Sequence, residues 1–255
     1  MMENRVFNDQ FSAVATRYAA ARPKYPTQLY EFVAKSAPSI DRVWDCATGN
    51  GQAAVGLSGF FKEVFATDAS QEQISNAISG TNISYSVQLA ETTNFPDIYF
   101  DAVTVAQAIH WFQLDRFIAE LTRVLKPDGI VVVWTYGFFR ISSEIDQLIR
   151  EEILQRIAPY WPKENESAWK GYTDIHLPFE KVDAPRIELI CHWNLRELMS
   201  YLATWSAINR HIERHGAGLI ERATEILARV WVDPEESMSV EMDLYVRAWR
   251  NCSAT

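Results

Sequence analysis

Val43-Trp44-Asp45-Cys46-Ala47-Thr48-Gly49-Asn50-Gly51 is an apolar run that meets an acidic residue and then a glycine turn. A second carboxylate, Asp68, closes the next apolar run, Val64-Phe65-Ala66-Thr67. Glycines at alternate positions after a strand allow a tight turn and a close approach of backbone to ligand, because they lack Cβ and tolerate positive φ. Asp68, at a strand's end, is placed to accept from both hydroxyls of a ribose. The layout is that of a nucleoside pocket in an α/β fold.

Two cofactor classes use this layout. Gly49-x-Gly51-x-x-Ala54 fits the dinucleotide fingerprint with Ala in the third place, and Asp68 stands 19 residues after Gly49, near the usual spacing of about 20. A nicotinamide reading therefore stands at this point. Asp45 argues the other way: a carboxylate ahead of the turn repels a pyrophosphate but suits a cationic amino-acid group, which S-adenosylmethionine carries.

Working outward, the 255 residues suit one large α/β domain, and 48% hydrophobic content marks a globular chain. The formal charge of −9 argues against nucleic-acid partners, which need a basic face. Cys46, Cys191 and Cys252 are too few and too scattered for a disulfide framework or a zinc site. The polar start of the chain and the shortness of its apolar runs point to a soluble, cytoplasmic protein without a membrane span. No metal is expected, and the oligomeric state is left open.

Strand-like and helical patterns alternate through the first half, the signature of a parallel sheet with crossover helices. Leu29, Phe32 and Val33 share a helical face. Ser70 and Gln73 suggest a capping box opening a helix that buries Ile74, Ala77 and Ile78. Phe100 to Ala106 reads as a strand; Phe117, Ile118, Leu121, Val124 and Leu125 repeat at helical spacing, and Lys126-Pro127-Asp128-Gly129 turns into a strand from Ile130 to Trp134. A helix near Ser143 to Ile157 precedes a long aromatic insertion through Pro185. A strand at Ile187 to Trp193, helices from Leu195 to about Arg210 and from Leu219 to Val230, and an alternating strand Val240 to Trp249 follow. The expected organisation is a single domain over 1–255, with an N-terminal cap at 1–38, a cofactor-binding core at 41–136, lid and substrate-side insertions at 137–238, and a final strand at 239–250.

The opening stretch resembles motif I of the class I S-adenosylmethionine-dependent methyltransferases, with Ala47 in the first glycine place, a role Ala fills if φ stays negative. Further segments carry the likeness. Tyr18-Ala19-Ala20-Ala21-Arg22-Pro23-Lys24-Tyr25-Pro26 matches an N-terminal element that caps the cofactor, and Ala90-Glu91 with Phe95-Pro96 matches the segment around the adenine. Ala106-Gln107-Ala108-Ile109-His110-Trp111-Phe112 matches the run facing the methionine and methyl group, and Arg123 to Gly129 matches the turn into strand five. Val133-Trp134-Thr135-Tyr136, Pro159-Tyr160-Trp161 and Ala203-Thr204-Trp205-Ser206-Ala207 narrow it to the subgroup similar to fungal-type trans-aconitate methyltransferases.

The resemblance implies a seven-stranded Rossmann-like sheet with helices on both faces and a helical, aromatic cap. It implies S-adenosylmethionine held by Tyr18, Arg22, Asp45, Ala47, Gly49, Gly51, Asp68, Ala90, Glu91 and Gln107. One departure is Leu89, where the family often has an acidic residue, so adenine recognition falls to main-chain groups near Ala90. His110 is the candidate catalytic residue; with Trp111, Trp134, Tyr136, Tyr160, Trp161 and Trp205 it forms the expected acceptor chamber. The implied function is methyl transfer to a small-molecule acceptor. A carboxylic acid giving a methyl ester fits the absence of a base motif, because a carboxylate with a reference pKa near 4 is ionised at neutral pH. Methylation of another metabolite or lipid on O, N or C, or non-catalytic binding of S-adenosylmethionine, are the alternatives. His211-Ile212-Glu213-Arg214-His215 has the one-turn spacing of a zinc pair, but lacks the family motif and a third ligand, and reads as a solvated helix face.

Overall fold

Every residue from Val43 to Cys46 is buried, which is why a run without polar alternation forms the central strand β1 (Arg42–Cys46). The computed structural model describes residues 22–231 and 233–252; Tyr18 lies outside them. Helix α1 (Thr27–Ser36) precedes β1 and buries Leu29, Tyr30 and Val33. After β1 come α2 (Gln52–Ser58), β2 (Glu63–Asp68), α3 (Gln71–Ser75), β3 (Ile83–Val87), β4 (Phe100–Ala106), α4 (Leu114–Val124) and β5 (Leu125–Arg140). A helix α5 (Ser143–Ile149) widens into a π turn over Arg150–Leu154 and closes through Gln155–Ile157. Then follow α6 (Asn165–Trp169), β6 (Glu180–Val182), β7 (Ile187–Trp193), α7 (Leu195–Leu202), α8 (Ser206–His215), α9 (Gly218–Ala228) and β8 (Met238–Arg250).

The strand order is β3-β2-β1-β4-β5-β8-β6, with β7 pairing β8 off this path. β1 runs parallel to both β2 and β4, and β4 runs parallel to β5, while β6 is antiparallel to β8. Chain order therefore reverses between β1 and β4. Ligands of open α/β sheets bind outside the carboxyl ends of the strands at that switch point. Trp44 anchors the core beneath it: its indole donates to Thr67 Oγ1 at 2.8 Å and its ring stacks on Phe100 at 6.0 Å between centroids.

Of the described residues, 25–137, 166–188 and 243–252 form one compact unit, which holds the switch point. Residues 22–24, 138–165, 189–231 and 233–242 form another, mostly helical, unit.

Several local expectations change. α3 ends at Ser75 and buries no residue; Ile78 is 45% exposed. The Asn76 amide donates back to Glu72 O at 2.8 Å and closes the helix early, a competition that short polar side chains impose on the backbone. The turn expected at Lys126-Gly129 is a bulge inside a continuous β5, where the register with β4 jumps from Phe100↔Leu125 to Ala102↔Ile130. Asp128 takes φ 61° there, and Asn251 holds the bulge by donating to Leu125 O and Lys126 O. The helix expected from Leu195 to about Arg210 breaks over 203–205, where Thr204 donates its hydroxyl to Tyr201 O at 2.7 Å. Its start is sharp, because Asn194 and Glu197 form a full capping box.

Candidate active site

The glycine turn leaves β1 at its carboxyl end, and its geometry is set by two carboxylates. Asp45 is fully buried. Its Oδ2 accepts from Thr48 Oγ1 at 2.5 Å and its Oδ1 from Thr104 Oγ1 at 2.9 Å. Burial pushes its carboxyl up to about 6, against the pull of those hydroxyls and a backbone bond from Ala54. Asp45 thus clamps the turn to β4. Asp68, at the end of β2, accepts from Gly49 N on Oδ2 and from Ser70 N on Oδ1, both at 2.9 Å. One side chain pins the turn and the start of α3.

Ala47 departs from expectation. Its φ is +55°, in the left-handed region where a Cβ costs about 1–3 kcal/mol. The turn imposes this conformation, since Thr48 N must reach Thr67 O at 2.9 Å. Gly49 and Gly51 also have positive φ, +58° and +85°. A Cβ at Gly51 would run into the Tyr85 hydroxyl, whereas at Gly49 the nearest atom is Gln73 Oε1 at 3.9 Å. Among the described residues, nothing else outside its chain neighbours comes within 4 Å of a Cβ at Gly49.

Gln107 follows β4 with φ +58°. Its N–H donates to Trp134 O at 2.9 Å and its Oε1 accepts from Thr135 Oγ1 at 2.8 Å. Its Nε2 is buried and has no partner among the described residues, as is Trp134 Nε1. A buried donor left unmade costs about 1–3 kcal/mol. The next turn, Ile109–Trp111, presents His110, whose Nδ1 lies 2.8 Å from the Tyr172 hydroxyl. Trp111 is 53% exposed, its ring 4.8 Å from the imidazole. Tyr25 meets the Trp134 ring edge-on at 5.5 Å and tilts against Tyr136 at 6.4 Å.

The adenine-side segment is held from α4. Glu91 Oε1 accepts from Gln113 N at 2.8 Å, so its carboxylate caps that helix. Arg123 bonds Phe95 O, Asp97 and Glu120, and Glu120 accepts from Thr93 N. Ala90 is buried within this framework.

Residues 44–133 match the family described as the methyltransferase domain. Across 229 residues the chain is 30% identical to a protein of Dictyostelium discoideum named as a methyltransferase, covering 88% of this chain and 87% of that one. The chain belongs to the class I S-adenosylmethionine-dependent methyltransferases. A solved structure assigned as a type II methyltransferase from Anaeromyxobacter dehalogenans is 35% identical, with a TM-score of 0.85 over 91% of this chain and 99% of that one. A Saccharomyces cerevisiae protein named for S-adenosylmethionine-dependent methyl transfer is 28% identical over 53% of this chain and 49% of its own length.

The strand ends of this methyltransferase fit its cofactor. Gly49 leaves room where a side chain would stand, Asp68 supplies a carboxylate at the ribose position of the motif, and Gln107 offers a buried donor. Of the remaining predicted residues of the methyltransferase, Arg22, Tyr160, Trp161 and Trp205 lie in the helical unit. There Arg22 begins the described chain, and Tyr160 bonds His215 Nε2 through its hydroxyl at 2.7 Å. Trp161 and Trp205 pack at 5.6 Å, and Phe138 meets Trp205 at 5.8 Å. Trp205 also lines a cleft of about 390 Å³ with Phe138, Arg140 and Arg150. His211 and His215 stack at 4.8 Å, and among the described residues no group of three or more His, Cys, Asp or Glu is placed to hold a metal. No described helix is long and apolar enough to cross a membrane.

Sequence reasoning missed Thr48 and Thr104, the hydroxyls that hold Asp45, and it missed Thr135 and Tyr172. Thr48 sat in view inside the quoted turn. Tyr172 has no local signal beyond its place after Gly171 in an aromatic insertion.

Proposed function

We propose that this methyltransferase acts on a small carboxylic acid and releases its methyl ester, as the likeness to trans-aconitate methyltransferases suggests. S-adenosylmethionine supplies an already activated methyl group, so the protein's task is alignment, worth about 7–11 kcal/mol in well-oriented systems. In this reading Asp68 receives the ribose hydroxyls, the main chain of the Gly49 turn lies along the cofactor, and main-chain groups near Ala90 meet the adenine. Arg22 and Gln107 face anionic groups. His110, Trp111, Trp134 and Tyr136 of the sheet unit face the acceptor, and Tyr160, Trp161 and Trp205 are retained as candidate acceptor residues from the sequence likeness alone. The acceptor is taken to be a free small molecule, the location cytoplasmic, and neither nucleic acid nor membrane a partner.

The observation that bears most on the choice of acceptor is one hydrogen-bond contact of His110. Its Nδ1 meets a phenol, Tyr172, at 2.8 Å; a neutral hydroxyl stabilises an imidazolium less than a carboxylate would. That arrangement suits an acceptor oxygen already ionised, which needs orientation more than deprotonation. The buried donor of Gln107 supports an anionic ligand in the same site, since an unpaired buried carboxylate is costly. Turnover against a panel of small acids, with mass spectrometry locating the added methyl, tests the reading. A base-labile methyl ester is expected; methyl found on nitrogen, carbon or a hydroxyl oxygen overturns it.

A further inference from the structure

The helical unit carries a cleft of about 390 Å³, within the range of about 300–1,000 Å³ that holds small organic ligands. Phe139, Ile149, Leu154 and Trp205 supply its apolar wall. Trp205 is the fixed part of that wall. It stands just before α8, and its ring packs against Trp161 at 5.6 Å, Tyr201 at 5.7 Å and Phe138 at 5.8 Å between centroids. Rings already held by one another lose little freedom when a ligand lies on them. Phe138 also lines the cleft and is 39% exposed, so the wall opens to solvent.

The polar side of the cleft is cationic, in a chain whose formal charge is −9. Arg140 and Arg150 line it with one acid, Asp146. Asp146 is turned to its own chain, where its Oδ1 accepts from Ile141 N at 2.9 Å. The acids that follow Arg150 are engaged elsewhere. Glu151 accepts from Gln147 Nε2 at 2.9 Å, and Glu152 pairs with Arg156 and Arg222, both at 3.2 Å. That leaves the Arg150 guanidinium without a carboxylate among the described residues. Arg150 also opens the π turn Arg150–Leu154, whose two end residues both line the cleft. Helices seldom widen in this way, and the turns that do are frequent at functional sites.

We infer that this cleft binds a small organic carboxylate with an apolar body, its head on Arg150 and its body on Trp205. A guanidinium takes a carboxylate through two parallel N–H bonds, and the aromatic wall removes the body from water. A compact, heavily hydrated anion such as phosphate gains nothing from that wall, and a neutral molecule of the same shape gains nothing from the cation. The inference goes beyond the reading of the reaction: it holds whether or not the bound acid is the one methylated, and its test needs no turnover.

The test is nitrogen–proton NMR of the indole groups in the full chain labelled with ¹⁵N-tryptophan. The Trp205 signal is identified among the 9 tryptophans by its loss in Trp205→Phe. Benzoate and hexanoate are titrated separately, with benzyl alcohol, hexanol and inorganic phosphate as comparisons. Both acids are expected to move the Trp205 signal saturably with Kd of about 1 mM or below. Each alcohol should bind more weakly than its acid, and phosphate should leave the signal in place. Arg150→Gln should weaken both acids about three- to tenfold and leave the alcohols unchanged; Arg150 is exposed, so this variant does not threaten the fold. Arg196→Gln removes an exposed cation of α7 that does not line the cleft and should change neither. The inference is overturned by the absence of saturable movement with either acid, by phosphate or an alcohol binding as well as the acids, or by Arg150→Gln having no more effect than Arg196→Gln.

Discussion

Asp68→Asn is the sharpest perturbation of the cofactor side. Both carboxylate oxygens accept backbone N–H groups, Gly49 at 2.9 Å and Ser70 at 2.9 Å. An amide has the same shape but only one acceptor atom, so one of these N–H groups must face an NH₂. Hydrogen bonds to charged groups contribute about 1.5–3 kcal/mol. The same substitution weakens what the side chain can offer a ribose. Together they predict a fall in affinity of roughly ten- to a hundredfold. Calorimetric titration with S-adenosylhomocysteine measures it, with thermal unfolding run alongside to confirm the fold. Affinity within about twofold of wild type in a folded Asp68→Asn protein would refute the reasoning and remove Asp68 from the site.

Ala47→Gly should stabilise the protein by about 1 kcal/mol, since relief of about 1–3 kcal/mol of strain exceeds the 0.5–1 kcal/mol of added chain entropy; a lower melting temperature would contradict it. Asp45 makes a pH prediction. Its carboxyl sits at about 6 in the folded protein against a reference of 3.8, so the folded state holds the proton more tightly. Stability relative to Asp45→Asn should therefore rise as pH falls through 6 and level off below 3.8, by of order 3 kcal/mol. Paired denaturant unfolding at several pH values checks this, and a constant difference refutes it. His110→Gln should keep kcat within about tenfold on a carboxylate acceptor, because general-base catalysis contributes about 10²–10⁴ where it operates. A loss beyond 10² with both ligands still bound would point to a hydroxyl or amine acceptor.

The switch-point architecture was legible because its signals are local. A buried strand, a glycine turn and a carboxylate at the next strand's end lie within 26 residues of one another, from Val43 to Asp68. The acidic residues of the turn were legible as residue types, but their partners were not. Asp45 reads as a ligand group in sequence, and in the fold it also holds Thr48 and Thr104, 3 and 59 residues away. Glu91 likewise caps α4 through Gln113. Tyr172 was invisible for the same reason: its contact with His110 spans 62 residues, and no periodicity encodes a pairing at that separation. Ala47 shows the reverse limit, since an alanine in the first glycine place suggested a negative φ and the turn's long-range bond to Thr67 imposed a positive one.

A crystal structure of the chain with S-adenosylhomocysteine bound decides where the cofactor sits. The nucleoside is expected at the carboxyl ends of β1, β2 and β4, with the ribose hydroxyls within about 3 Å of the Asp68 carboxylate. A ligand acceptor is also expected on Gln107 Nε2, in the cofactor or in an acid soaked beside it. Ligand density away from these strand ends, or a ribose that makes no contact with Asp68, would contradict this placement.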